Sequence, residues 1–154
     1  MSSVTVNRIR DLELFRGCRR SQLARIDEIG FTIDVAPGRV LLVEGDLGSQ
    51  FFVLLNGLVE VHSSSVSAQL GAGSWFGAEA LLNDVREPAT VCTRVVSQLI
   101  VYSRRELQMV VGIAPSVGTR LLAPRVRRGQ SSRVSGIPGT PLARTVRAGH
   151  TARV

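Results

Sequence analysis

The chain has 154 residues, 44% of them apolar, with 19 basic side chains against 12 acidic ones and a formal net charge of +7. That apolar content supports a packed core and excludes a chain disordered throughout, and no run reaches the ~18–20 apolar residues of a membrane helix. Every basic residue is Arg, and residues 107–154 hold eight of them with no acid while residues 1–106 are near neutral, so the charge argues for an acidic partner only at the tail.

In chain order, the opening "MSSVTVNRIRDLELF" lacks the apolar core of a signal peptide, and the expected location is cytoplasmic. Residues 21–30, "SQLARIDEIG", are predicted as a short helix capped by Ser21, with Leu23, Ile26 and Ile29 on one face and Gly30 at its end. From Phe31 to Tyr102 the texture changes to short β-branched runs between turn pairs: "FTIDVA", Pro37-Gly38, "RVLLVE", Gly45-Asp46, "QFFVLL", Asn56-Gly57, "LVEVHS". Asn-Gly between two apolar runs predicts a hairpin, because both turn residues tolerate positive φ. Further strands are expected at "VSAQL", "ATVCTRVV" and "QLIVYS". Many short strands with tight turns predict a mainly β fold with flanking α-helices, a jelly-roll-like β-roll.

Ser103 and Glu106 form a capping box that opens another helix through Leu107, Val110 and Val111, with Gly112 expected to stop it. Pro115 opens the last, "PSVGTRLLA", which Pro124 ends. Residues 124–154 are rich in Gly, Pro, Ser, Thr and Arg without a sustained period, and are expected to be a disordered basic tail beyond a domain at 1–123. Cys18 and Cys92 give no disulfide framework or metal spacing. His62 and His150 have no Cys nearby, and no paired-carboxylate or nucleophile–His spacing is present, so no enzyme activity and no metal site are expected.

The pieces "LELFRGC", "PGRVLLVEGD", "FFVLLNGLVEV" and "GAGSWFGAEALL" followed by "PATV" carry, by order and spacing over roughly residues 9–123, a resemblance to the cyclic nucleotide-binding domain, the module of catabolite-activator-type regulators and cyclic-nucleotide-dependent kinases. The resemblance implies a double-stranded β-helix and a regulatory or sensor role. It also implies a phosphate cassette over Phe76, Gly77, Ala78, Glu79 and Ala80, then Arg86, Glu87, Pro88, Ala89 and Thr90. In that family a Glu directly after the "FG" glycine takes the ribose 2′-hydroxyl. An Arg before a small hydroxyl residue and "A-[TS]-V" pairs with the cyclic phosphate, and the helix N-terminus aids it.

This chain departs from that pattern. Ala78 holds the Glu position and Glu79 follows one place late; Glu87 holds the Arg position, Pro88 the hydroxyl position, and Arg86 stands one place early. One place is about 100° on a helix and the opposite face on an extended segment. Binding of cyclic AMP or cyclic GMP is therefore expected to be weak or lost, with Glu79 and Arg86 imperfect substitutes in the sensor reading. Two alternatives stay open: a nucleotide-independent protein-interaction module, and nonspecific nucleic-acid binding by the tail. No helix pair follows Pro124 to read DNA, so sequence-specific DNA binding by this chain is not expected, whereas a homodimer is admitted. Trp75 is expected to pack in the roll and Thr119 to lie on a helix surface.

Overall fold

A computed structural model describes residues 9–65 and 67–123. The expected tail at 124–154, with His150 in it, lies outside the described residues. After a short 3₁₀ turn at Glu13–Phe15, helix α1 runs over Arg20–Ile29. Ser21 does not cap it: the helix begins one residue earlier, where the Gln22 side chain reaches back to accept from the Arg19 backbone N–H at 2.7 Å. Gly30 does end it, with an extended φ of −79°. Glycine is needed there for space, since a Cβ would stand 2.5 Å from the Ile100 side chain and 2.8 Å from the Tyr102 ring.

Eight strands follow: β1 Phe31–Val35, β2 Val40–Leu42, β3 Gln50–Asn56, β4 Leu58–His62, β5 Ser67–Gly71, β6 Trp75–Phe76, β7 Thr90–Thr93 and β8 Ser97–Ser103. They form two antiparallel four-stranded sheets, ordered β1-β8-β3-β6 and β2-β7-β4-β5. This is the expected β-roll, mainly antiparallel with flanking helices.

The turn pairs fall where the sequence puts them, but Asn56-Gly57 makes no hairpin. β3 pairs with β6 and β8, while β4 pairs with β5 and β7, so the chain changes sheet at this corner. Gly57 has φ +115° and its missing Cβ leaves room for Ser97. The β4–β5 connection is the within-sheet hairpin. The run expected over "ATVCTRVV" stops at Thr93, although Arg94 N still donates to Leu58 O of β4 at 2.8 Å and its Nη1 to Glu60 Oε1.

Two cores use alternate residues of the same strands. Phe52 and Leu54 of β3, with Leu99 and Val101 of β8, face the space between the sheets beside Leu42, Val59, Phe76 and Val91. Phe51, Val53, Ile100 and Tyr102 face the helices, packing with Leu23, Ile26, Leu107, Val110 and Val117. Burial on both faces explains why "QFFVLL" reads as a continuous apolar run.

Helix α2, Ala78–Asn83, lies between β6 and β7; α3, Arg104–Ile113, and α4, Pro115–Leu122, close the helical side. The Ser103–Glu106 capping box is formed, with Ser103 Oγ accepting from Glu106 N at 3.2 Å and Glu106 Oε1 from Ser103 N at 2.8 Å. Gly112 does not stop α3, which runs to Ile113 before Ala114 caps it. Among the described residues no helix is long and apolar enough to cross a membrane, and no group of three or more His, Cys, Asp or Glu is placed to hold a metal ion.

Candidate functional site

Strand β6 ends at Phe76, whose ring stacks on Phe52 at 5.3 Å between centroids. Gly77 then takes φ +96° and opens α2. A Cβ at Gly77 would sit 2.5 Å from the Gln50 carbonyl oxygen, so both the backbone angle and the space demand glycine. Ala78 follows, buried, and Glu79 is exposed on the next position of the helix. Ala80 is buried against Gly48, where a Cβ would collide with it.

The other half of the site is an extended segment fastened to the loop after β2. Gly45 N donates to Glu87 O at 2.9 Å and Glu87 N to Asp46 O at 2.8 Å, with a bridge between Leu47 and Arg86. Extended backbone sends successive side chains to opposite faces. Arg86 accordingly points outward and donates from Nη1 to Gly45 O at 2.9 Å. Glu87 points inward and is 4% exposed, with its Oε2 buried and without a hydrogen-bond partner among the described residues. Thr90 spends its hydroxyl accepting from Glu44 N at 2.9 Å.

Between these halves lies a cavity of about 360 Å³. Of the ten candidate residues, Phe76, Gly77, Ala78, Glu79, Glu87, Pro88 and Ala89 line it, whereas Ala80, Arg86 and Thr90 do not. The sequence missed its far walls, Val61 and Leu70 on β4 and β5 and Leu121 to Ala123 at the end of α4. These are plain apolar residues, and only the sheet register and the course of α4 bring them here. Thr119 is exposed, its hydroxyl donating to Pro115 O at 3.4 Å. Trp75 packs in the helix-side core and not on the cavity.

Burial raises the Glu87 carboxyl from 4.5 to about 7, and the negative charges of Glu79 and Asp46 add to it. A carboxyl raised on folding favours the folded state below its unfolded pKa, near 4.5. That contribution is lost as pH climbs through about 7. The Glu87→Gln variant is therefore expected to exceed the natural chain in stability at pH 8, by on the order of 2–3 kcal/mol. The difference should shrink towards pH 4.5, as urea unfolding at the two pH values would measure.

Comparison with known proteins places this geometry. The family model described as the cyclic nucleotide-binding domain matches residues 32–112. The cAMP-dependent protein kinase regulatory subunit of Yarrowia lipolytica is 33% identical over 81 residues, covering 51% of this chain and 22% of that protein. A cyclic nucleotide-gated potassium channel of Rhizobium etli is 28% identical over 94 residues, 61% of this chain and 26% of the channel. The chain thus spans about a quarter or less of these two curated relatives. Among solved structures, a kinase regulatory-subunit domain described as "Sp-2Cl-cAMPS bound to PKAR CBD2" superposes with a TM-score of 0.70 at 17% identity, over 77% of this chain and 82% of that one. The catabolite activator protein of Thermus thermophilus superposes with a TM-score of 0.66 at 22% identity, over 79% of this chain and 60% of that one. At these identities the superpositions show a shared fold.

Proposed function

We propose, from the premise that this chain belongs to the cyclic nucleotide-binding domain family, that it is a non-catalytic regulatory domain whose cyclic nucleotide site has lost its anion. The observation that carries the reading is Glu87. It stands at the position where the family resemblance puts the phosphate-binding Arg, it is buried, and it is among the residues that line the cavity. Its ionised form repels a phosphate, and with the carboxyl raised to about 7 the penalty near pH 7.5 is at most the cost of protonating it, about 1 kcal/mol. Ala78 offers nothing to a ribose hydroxyl, and Pro88 has neither a hydroxyl nor an N–H. Arg86 does not compensate, since it is bonded on the outer face.

In the relatives named as a kinase regulatory subunit and a gated channel, the matched stretch is 22% and 26% of the protein. The partner proposed here is a regulated protein segment within or beyond this chain, addressed without a cyclic nucleotide. Thermal unfolding of the chain with 1 mM cyclic AMP or cyclic GMP tests this, because a ligand bound only by the folded state raises its stability. The expected result is an unchanged midpoint with either nucleotide. A midpoint raised by several degrees overturns the reading.

A further inference from the structure

The cavity beside α2 is chemically lopsided. Its apolar walls include Leu42, Val61, Phe76, Val91 and Leu121, and its charged lining residues are two carboxylates, Glu79 and Glu87. No basic side chain is among the described residues that line it. Glu87 is more than nine-tenths buried, and its Oε2 has no hydrogen-bond partner among the described residues. An unsatisfied buried carboxylate oxygen is costly, and a donor brought by a ligand removes that cost. The adjacent base cannot supply it: Arg86 is held on Gly45 O, and backbone bonds on both sides of Glu87 fix which of the two faces inward.

We infer that this cavity binds an organic monocation with an apolar body, an arylalkyl ammonium compound, whose charged head donates to Glu87 while its body lies against Leu42, Phe76 and Leu121. The inference rests on the proposed loss of the anion and adds the chemistry that replaces it. The volume of about 360 Å³ falls at the lower end of small-molecule pockets, roughly 300–1,000 Å³. Beside apolar protein walls the attraction between ammonium and carboxylate exceeds its value in bulk water. Glu79, exposed at the same wall, adds a second negative charge. The phosphate of a nucleotide meets the opposite field.

The test is a calorimetric titration of the full chain at pH 8 with 2-phenylethylamine and with its neutral isostere, 2-phenylethanol. The amine is expected to bind at least about tenfold more tightly than the alcohol. Glu87→Gln is expected to weaken the amine by about tenfold and leave the alcohol unchanged. Glu79→Gln should weaken the amine by less. Between pH 8 and pH 6 the amine, like a lysine, stays protonated. Glu87, facing Glu79 and Asp46 with Arg86 turned outward, takes up its proton over that range. Amine affinity should then fall about tenfold on the natural chain, an arm that needs no variant to fold. Equal affinity for amine and alcohol, an unaffected Glu87→Gln variant, or no fall at pH 6 overturns the inference. Cyclic AMP titrated in parallel separates the two levels. If neither ligand binds, only the inference falls; if cyclic AMP saturates the chain, the lost-anion reading falls with it.

Discussion

The Ala78→Glu/Glu87→Arg double variant is expected to bind cyclic AMP at least roughly a thousandfold more tightly than the natural chain. Ala78 opens α2, is buried and lines the cavity, so a Glu there reaches the place the family resemblance assigns to the ribose contact. An Arg at 87 replaces the inward carboxyl by a group that can pair with phosphate through two hydrogen bonds. Charge-assisted hydrogen bonds contribute about 1.5–3 kcal/mol each, two from the Arg and one from the Glu, and relief of like-charge repulsion adds at most about 1 more near pH 7.5, since the Glu87 carboxyl is raised to about 7. At about 1.4 kcal/mol per tenfold, the sum exceeds three decades. Pro88 is left in place and keeps the gain below what the full pattern would give. Trp75, the only Trp and one residue before Phe76, provides the fluorescence readout. Glu87→Arg alone should recover most of the gain, whereas Ala78→Glu alone adds a third acid and should recover none. A folded double variant that stays blind to millimolar cyclic AMP would show that position 87 does not face the phosphate.

The second large effect concerns stability. Glu60 lies on β4, 2% exposed, and accepts from Arg94 Nη1 at 2.9 Å through Oε1, while its Oε2 is buried without a partner among the described residues. Removing one member of a buried pair leaves the other charge uncompensated, at about 3–5 kcal/mol for fully buried pairs. Arg94 has a side chain 37% exposed, so Arg94→Ala is expected to cost about 2–4 kcal/mol and lower the unfolding midpoint by about 10 °C. The Glu60→Leu/Arg94→Ala pair should recover most of that loss, since an apolar replacement removes the stranded charge. A loss under about 1 kcal/mol for Arg94→Ala would mean that solvent screens the pair as it does at a surface.

The roll was legible because its signals are local. The alternation in "LVEVHS", the turn pairs and the Ser103–Glu106 box each depend on neighbours within a few residues. Partner choice is not local, which is why Asn56-Gly57 reads as a hairpin although it turns a sheet corner. The choice is settled by β8, more than forty residues later, whose Leu99 and Val101 complete one core and Ile100 and Tyr102 the other. Part of the cavity lining was equally legible. Extended backbone made the one-place displacement of Arg86 and Glu87 a statement about faces, and the two side chains lie on opposite ones. Val61, Leu70 and Leu121 carried no such signal, because an apolar wall has no chemistry of its own until the fold assembles it.

Calorimetric titration of the full natural chain with cyclic AMP and cyclic GMP, carried to millimolar ligand at pH 7.5, decides whether the site has lost its anion. Dilution heat alone is expected with either nucleotide, because the inward group at position 87 is a carboxyl and the guanidinium of Arg86 lies on the outer face. Saturable heat with a submillimolar dissociation constant, abolished by a Gly77 substitution, would contradict that loss and show that the displaced Glu79 and Arg86 reach the nucleotide after all.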